Sequence, residues 1–82
     1  MNEKTEDDIM EAIAIRTFGE AMTRKELRAY VERGYGEKGS IILSKMWLNR
    51  YLAVNSYNEV TVTGRWADYR IAKEKLTGGI NQ

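Results

Sequence analysis

The 82-residue chain has no cysteine and no histidine. A disulfide framework, a Cys/His zinc site and an imidazole base are therefore excluded, so stability has to come from packing and catalysis is not expected. Apolar runs such as Ile41–Leu43 fall far short of the roughly 20 residues that cross a bilayer, and the acidic N-terminus is not a secretory signal. Internal repeats, low-complexity tracts and Pro/Ser-rich linkers are also missing. What remains is 43% hydrophobic and 30% charged sequence, which predicts one small cytoplasmic domain over residues 8–76, an acidic disordered segment 1–7 and a mobile tail 77–82.

The formal net charge is only +1, but its distribution is uneven. Residues 1–20 carry six acids against two bases, and residues 21–82 carry eleven bases against six acids. Such asymmetry permits a basic face directed at a polyanion.

Local signals divide the chain into elements. Asp8, with Glu11 three residues on, reads as a capping box opening a first helix over 8–18. Ile9, Met10, Ile13, Ala14 and Phe18 then recur at helical spacing, and Gly19 ends the element. Thr23-Arg24-Lys25-Glu26 is a second capping box, with Met22 and Leu27 placed as its hydrophobic staple. It opens a second helix over 24–33, whose stripe is Leu27, Tyr30 and Val31 and whose stop is Gly34. Three glycines between Gly34 and Gly39 predict a turn. Ser40 reads as the cap of a third helix running to Ala53, with Ile41, Leu48, Tyr51 and Leu52 as its tightest apolar sector and Ile42 and Met46 left partly exposed or covered by another segment.

After the turn composition of Asn55-Ser56-Tyr57-Asn58, the period changes from helical to two. Glu59-Val60-Thr61-Val62-Thr63 alternates as a strand, Gly64–Asp68 reads as a connecting loop, and Tyr69-Arg70-Ile71-Ala72 alternates again. The expected fold class is α+β, with three helices followed by a two-stranded antiparallel hairpin.

That order, the capped Thr23-Arg24-Lys25-Glu26-Leu27, the third helix with Leu48 and Leu52, Val54 just past its end, and the closing Tyr69-Arg70-Ile71 together resemble the winged helix-turn-helix superfamily. The resemblance covers roughly residues 8–72. It implies binding to double-stranded DNA, with the third helix, Ser40–Ala53, in the major groove and a wing tip at Gly64–Asp68 on the backbone or minor groove. It also implies a small transcriptional regulator of the kind found in phages, plasmids and archaeal viruses.

On this reading the DNA-binding candidates on the third helix are Ser40, Ser44, Lys45, Asn49 and Arg50, because Asn can read adenine, Lys and Arg can read guanine or hold phosphate, and Ser can do either. Arg65 at the expected hairpin tip suits phosphate or a narrow minor groove. Arg24, Lys25 and Arg28 at the start of the second helix suit phosphates near its N-terminal amides. Trp66 is assigned to covering the core. Asp7 and Asp8 lack a third ligand and are assigned to capping, so no metal, cofactor or small-molecule substrate is expected. A single module makes limited contact, which predicts a homodimer, with the first helix as the available dimer element. The rival reading is a protein-interaction module, docking a partner through Ile42, Met46 and Trp47.

Overall fold

A computed structural model describes residues 5–80, with side-chain surroundings through Lys75. The fold is α+β, with three helices and a two-stranded antiparallel hairpin. The elements run α1 (Glu6–Gly19), α2 (Arg24–Leu48), β1 (Leu52–Val54), β2 (Val60–Val62) and α3 (Gly64–Ile80).

α1 begins at Glu6, two residues earlier than its sequence predicts. Thr5 is the N-cap: its hydroxyl accepts from the Asp8 amide at 3.1 Å, and the Asp8 carboxylate accepts from the Thr5 amide at 3.2 Å. Asp8 is thus the returning acid of the capping box rather than the cap, and Glu6, Asp7 and Asp8 all lie at the positive end of the helix dipole. Of the segment expected to be disordered, residues 5–7 form this cap and first turn, and residues 1–4 lie outside the described residues. The inward face carries Ile9, Met10, Ile13, Ala14 and Thr17. The buried Thr17 hydroxyl is satisfied by donating to the Ala14 carbonyl at 2.8 Å.

α2 starts where its sequence says, with Thr23 and Glu26 exchanging both bonds of a capping box. It does not stop at Arg33. Helical backbone continues through Gly34 and breaks at Gly36, whose φ of +65° and ψ of −149° belong to a region that essentially only glycine occupies. The expected six-residue turn is therefore one residue long, and α2 consists of two limbs, 24–35 and 37–48. The limbs pack closely around Gly39, where an added Cβ would lie 2.6 Å from the Tyr35 Cβ and 2.8 Å from a Val31 methyl. Ser40, the expected cap, is inside the second limb.

The second limb buries Ile42, Leu43 and Met46 and leaves Ile41 and Leu48 exposed. This reverses the face expected from the sequence. The cause is the helix end: α2 stops at Leu48, so Tyr51 and Leu52 do not belong on its wheel. A Schellman motif closes it, with the Tyr51 amide donating to the Met46 carbonyl at 2.9 Å, the Arg50 amide to the Trp47 carbonyl at 3.0 Å, and Arg50 at φ +63° in the left-handed position usually held by glycine.

The chain then enters β1, which pairs antiparallel with β2 in the register Leu52↔Val62, Ala53↔Thr61, Val54↔Val60. Asn55 organises the connecting loop, its side-chain oxygen accepting from the amides of Tyr57 at 2.8 Å and Glu59 at 3.0 Å. Asn58 takes the left-handed conformation that asparagine tolerates. The Val60 amide also donates to the Met22 carbonyl at 2.8 Å, tying the hairpin to the α1–α2 connection. The core lies between α1, α2 and the hairpin, and Leu27, Leu52 and Val60 are among its buried residues.

The expected second strand, Tyr69–Ala72, is helical, and so is the expected loop Gly64–Asp68. Trp66 and Tyr69 stand three apart on one helical face, where both rings meet Tyr51, with centroids 5.4 and 5.3 Å away. A strand would have sent them to opposite faces. Trp66 is buried and closes the core, as its sequence context predicts. Further along, α3 is held to α1 by Arg70 and Glu11 at 3.1 Å, by Lys73 and Asp7, and by the Tyr69 hydroxyl donating to Asp7 at 2.6 Å. Of the expected tail, residues 77–80 continue α3, and 81–82 lie outside the described residues.

Candidate nucleic-acid interface

The bend at Gly36 folds the second limb of α2 back beside the first, and a groove of about 610 Å³ opens between them. Arg24, Lys25 and Arg28 line one side, and Ser40, Leu43, Ser44 and Trp47 line the other. Five of the nine residues singled out in the sequence thus come together, from positions up to twenty apart in the chain.

Each wall has its own cause. On the first limb the capping box fixes the helix start, so Arg24, Lys25 and Arg28 project from its exposed side while Leu27 and Val31 are buried. On the second limb, burial of Ile42, Leu43 and Met46 turns Ser40, Ser44 and Trp47 toward those cations.

The groove is internally braced. The Arg24 guanidinium lies 4.3 Å from the centre of the Trp47 ring, a cation–π contact that holds the charge at the groove wall. Glu32 accepts from the Arg28 Nε and from the Ser40 hydroxyl, each at 3.2 Å, joining the two limbs. Three cations against this one braced acid make the surface suited to an extended polyanion. Among the described residues no group of His, Cys, Asp and Glu side chains could hold a metal ion.

Four candidates lie elsewhere. Lys45 is on the exposed side of the second limb, paired with Glu6 at 3.2 Å. Asn49, expected midway along a reading helix, is instead the C-cap of α2, its side-chain amide donating to the Lys45 carbonyl at 2.9 Å. Arg50 follows it in the Schellman turn, and its carbonyl accepts from the Thr63 hydroxyl. Arg65 sits in the first turn of α3 and not on a hairpin tip.

The actual hairpin tip is the loop 55–59, where Tyr57 is 81% exposed. Sequence reasoning read its composition as a turn but missed the strand before it. The surface expected for the protein-interaction reading is also altered, because Ile42 and Met46 are buried and Trp47 is half-buried beneath Arg24. Ile41 and Leu48, one two-turn step apart, are the exposed apolar residues on this limb, with Ser44 and Lys45 between them.

No family model, curated protein or solved structure matches the chain.

Proposed function

We propose that the chain is a winged-helix double-stranded DNA-binding protein, acting as a small transcriptional regulator. The observation that carries this reading is the convergence of Arg24, Lys25 and Arg28 with Ser40 and Ser44 on one groove. Cations at the edge of such a groove hold phosphates and fix register, while the second limb of α2 presents Ser40, Ile41, Ser44 and Leu48 to base edges. Ser accepts or donates there, and exposed Ile41 and Leu48 suit thymine methyl groups.

The order of a bent helix pair followed by a hairpin supports the superfamily resemblance, with the wing reassigned to residues 55–59. Tyr57 then takes the backbone or minor-groove role that the sequence reading had given to Arg65. The working unit in this proposal is a homodimer on a two-fold-related site.

A fluorescence anisotropy titration against duplex DNA at several salt concentrations tests the reading. About five phosphate contacts give a log–log salt slope of roughly −4.5. Arg24→Ala and Arg28→Ala each weaken specific and random duplexes alike and flatten that slope by about one unit. Ser44→Ala acts on the preferred sequence and leaves random DNA nearly unchanged. Absence of binding to any duplex at low salt overturns the proposal and favours the protein-docking alternative, for which exposed Ile41 and Leu48 are the surface.

A further inference from the structure

A second surface lies away from the groove and shares none of its residues. Phe18 on α1 is 76% exposed and Ile71 on α3 is 52% exposed. Together with Val62 and Ala67 they line an apolar cleft of about 240 Å³ between α1, β2 and α3. Large apolar side chains grouped in this way, rather than scattered singly, mark a surface that another macromolecule covers.

The charges around the cleft say which. Ala67 and Ile71, one helical turn apart, form the apolar centre of the outward stripe of α3. Asp68 and Lys75 run along one flank, and Arg70 and Glu74 along the other. The flanks hold two acids and two bases, so they do not suit a polyanion or a partner of a single charge sign. Laying a second copy of α3 antiparallel across this stripe, with the two-fold axis close to Ile71, sets Asp68 against Lys75 of the other copy on one flank. On the other flank it sets Arg70 against Glu74. The same axis satisfies both. A parallel two-fold arrangement would instead set Asp68 against Arg70 and Lys75 against Glu74 of the other copy, also opposite in sign. It would, however, align the two helix dipoles, which the antiparallel arrangement opposes, and the charge swaps below separate the two orientations. The Glu74 side chain is 70% exposed and only 3.7 Å from its own Arg70 at the nearest approach, which leaves it open to a second guanidinium.

We propose that Phe18, Val62, Ala67 and Ile71 form an isologous interface with a second copy of this chain, in which the two α3 helices pack antiparallel. This deepens the homodimer part of the functional reading and replaces the first helix by α3 as the main pairing element, with α1 contributing Phe18 at the edge. It does not depend on what the groove binds.

Sedimentation equilibrium on the whole chain, without nucleic acid, tests the interface separately from duplex binding. The expected mass rises with concentration from 9.5 kDa toward twice that value. Ile71→Asp keeps the circular dichroism of the parent and stays monomeric at every concentration. Asp68→Lys and Lys75→Asp each weaken association by about tenfold, because two symmetry-related pairs become repulsive. The double swap Asp68→Lys/Lys75→Asp restores the parental constant to within about threefold. A chain that stays monomeric throughout, an Ile71→Asp dimer of unchanged affinity, or a double swap as weak as the single variants overturns the proposal. Loss of duplex binding in a chain that still dimerises counts against the DNA reading alone.

Discussion

α2 and α3 are both long helices, yet they are attached to the molecule by different physics. α2 buries Leu27, Val31, Ile42, Leu43 and Met46, so the core runs along both of its limbs. α3 buries Trp66, half-buries Tyr69 beside it, and leaves residues 70–75 exposed, tied down by Arg70, Lys73 and the Tyr69 hydroxyl on the acidic first turns of α1. Apolar burial is worth several times more per side chain than an exposed ion pair. α2 is thus held by the core along both limbs that line the groove, whereas the distal part of α3 is held by exposed ion pairs to α1.

The largest effects should separate the two helices directly. Leu27→Ala, and Leu52→Ala in β1, another residue of the same core, should each cost about 2–5 kcal/mol in chemical denaturation, while Ile71→Ala in the dilute monomer should stay within about 0.5 kcal/mol. A cost below about 1 kcal/mol for Leu27→Ala would break the comparison. Next come the three glycines of α2. Gly36→Ala should cost about 1–3 kcal/mol through its backbone angles, and Gly39→Ala a similar amount through collision with Tyr35 and Val31. Gly34→Ala meets nothing within 4 Å and should stabilise by about 0.5–1 kcal/mol, because it sits in continuous helix. Thermal melts of the three variants should therefore move in two directions.

Smaller changes probe the clasp on α3. Lys73→Ala and Arg70→Ala should each cost less than about 1 kcal/mol, and hydrogen exchange should show the α3 amides opening before those around Leu27. The Tyr69 phenol is shifted above its ordinary value, first by burial and then by Tyr51 and Glu6. Its neutral form is thus favoured in the fold, so its contribution is complete below about pH 10 and is lost as the pH rises further. Tyr69→Phe should accordingly lose less stability than the parent chain in alkaline titrations followed by circular dichroism.

Legibility in the sequence followed the range of the interactions involved. The Thr23–Glu26 box, the alternation of Val60 and Val62, and the buried roles of Leu27, Leu52 and Trp66 were readable, since each depends on neighbours a few residues away or on hydrophobicity alone. The end of α2 was not, because the left-handed position that normally announces it with glycine is occupied by Arg50. That single residue hid β1, sent the expected hairpin to 69–72, moved the expected hairpin tip from 55–59 to 64–68, and placed Asn49 inside a helix that it in fact caps. Four residues of alternation at Tyr69–Ala72 carried too little information to tell a strand from the helix they form. Of the candidate site, the three cations of the first limb and the two serines of the second were individually visible as polar positions on helices. Their meeting was not, and neither was Trp47 as the surface beneath Arg24.

By itself, then, the sequence determined the chemistry available to this protein: no thiol or imidazole, a basic balance after residue 20, a capped helix carrying Arg24, Lys25 and Arg28, and a β-forming run at Val60–Val62. Tertiary structure decided where that chemistry is presented. Whether Ile42 or Ile41 faces inward, whether Ser40 caps a helix or braces Glu32, and whether residues 64–72 pair as a strand or stack as a helix on Tyr51 are not set by local propensity. They are set by which arrangement buries Met46, Leu52 and Trp66 together in one small core, a gain that exceeds the fraction of a kcal/mol by which local propensities differ.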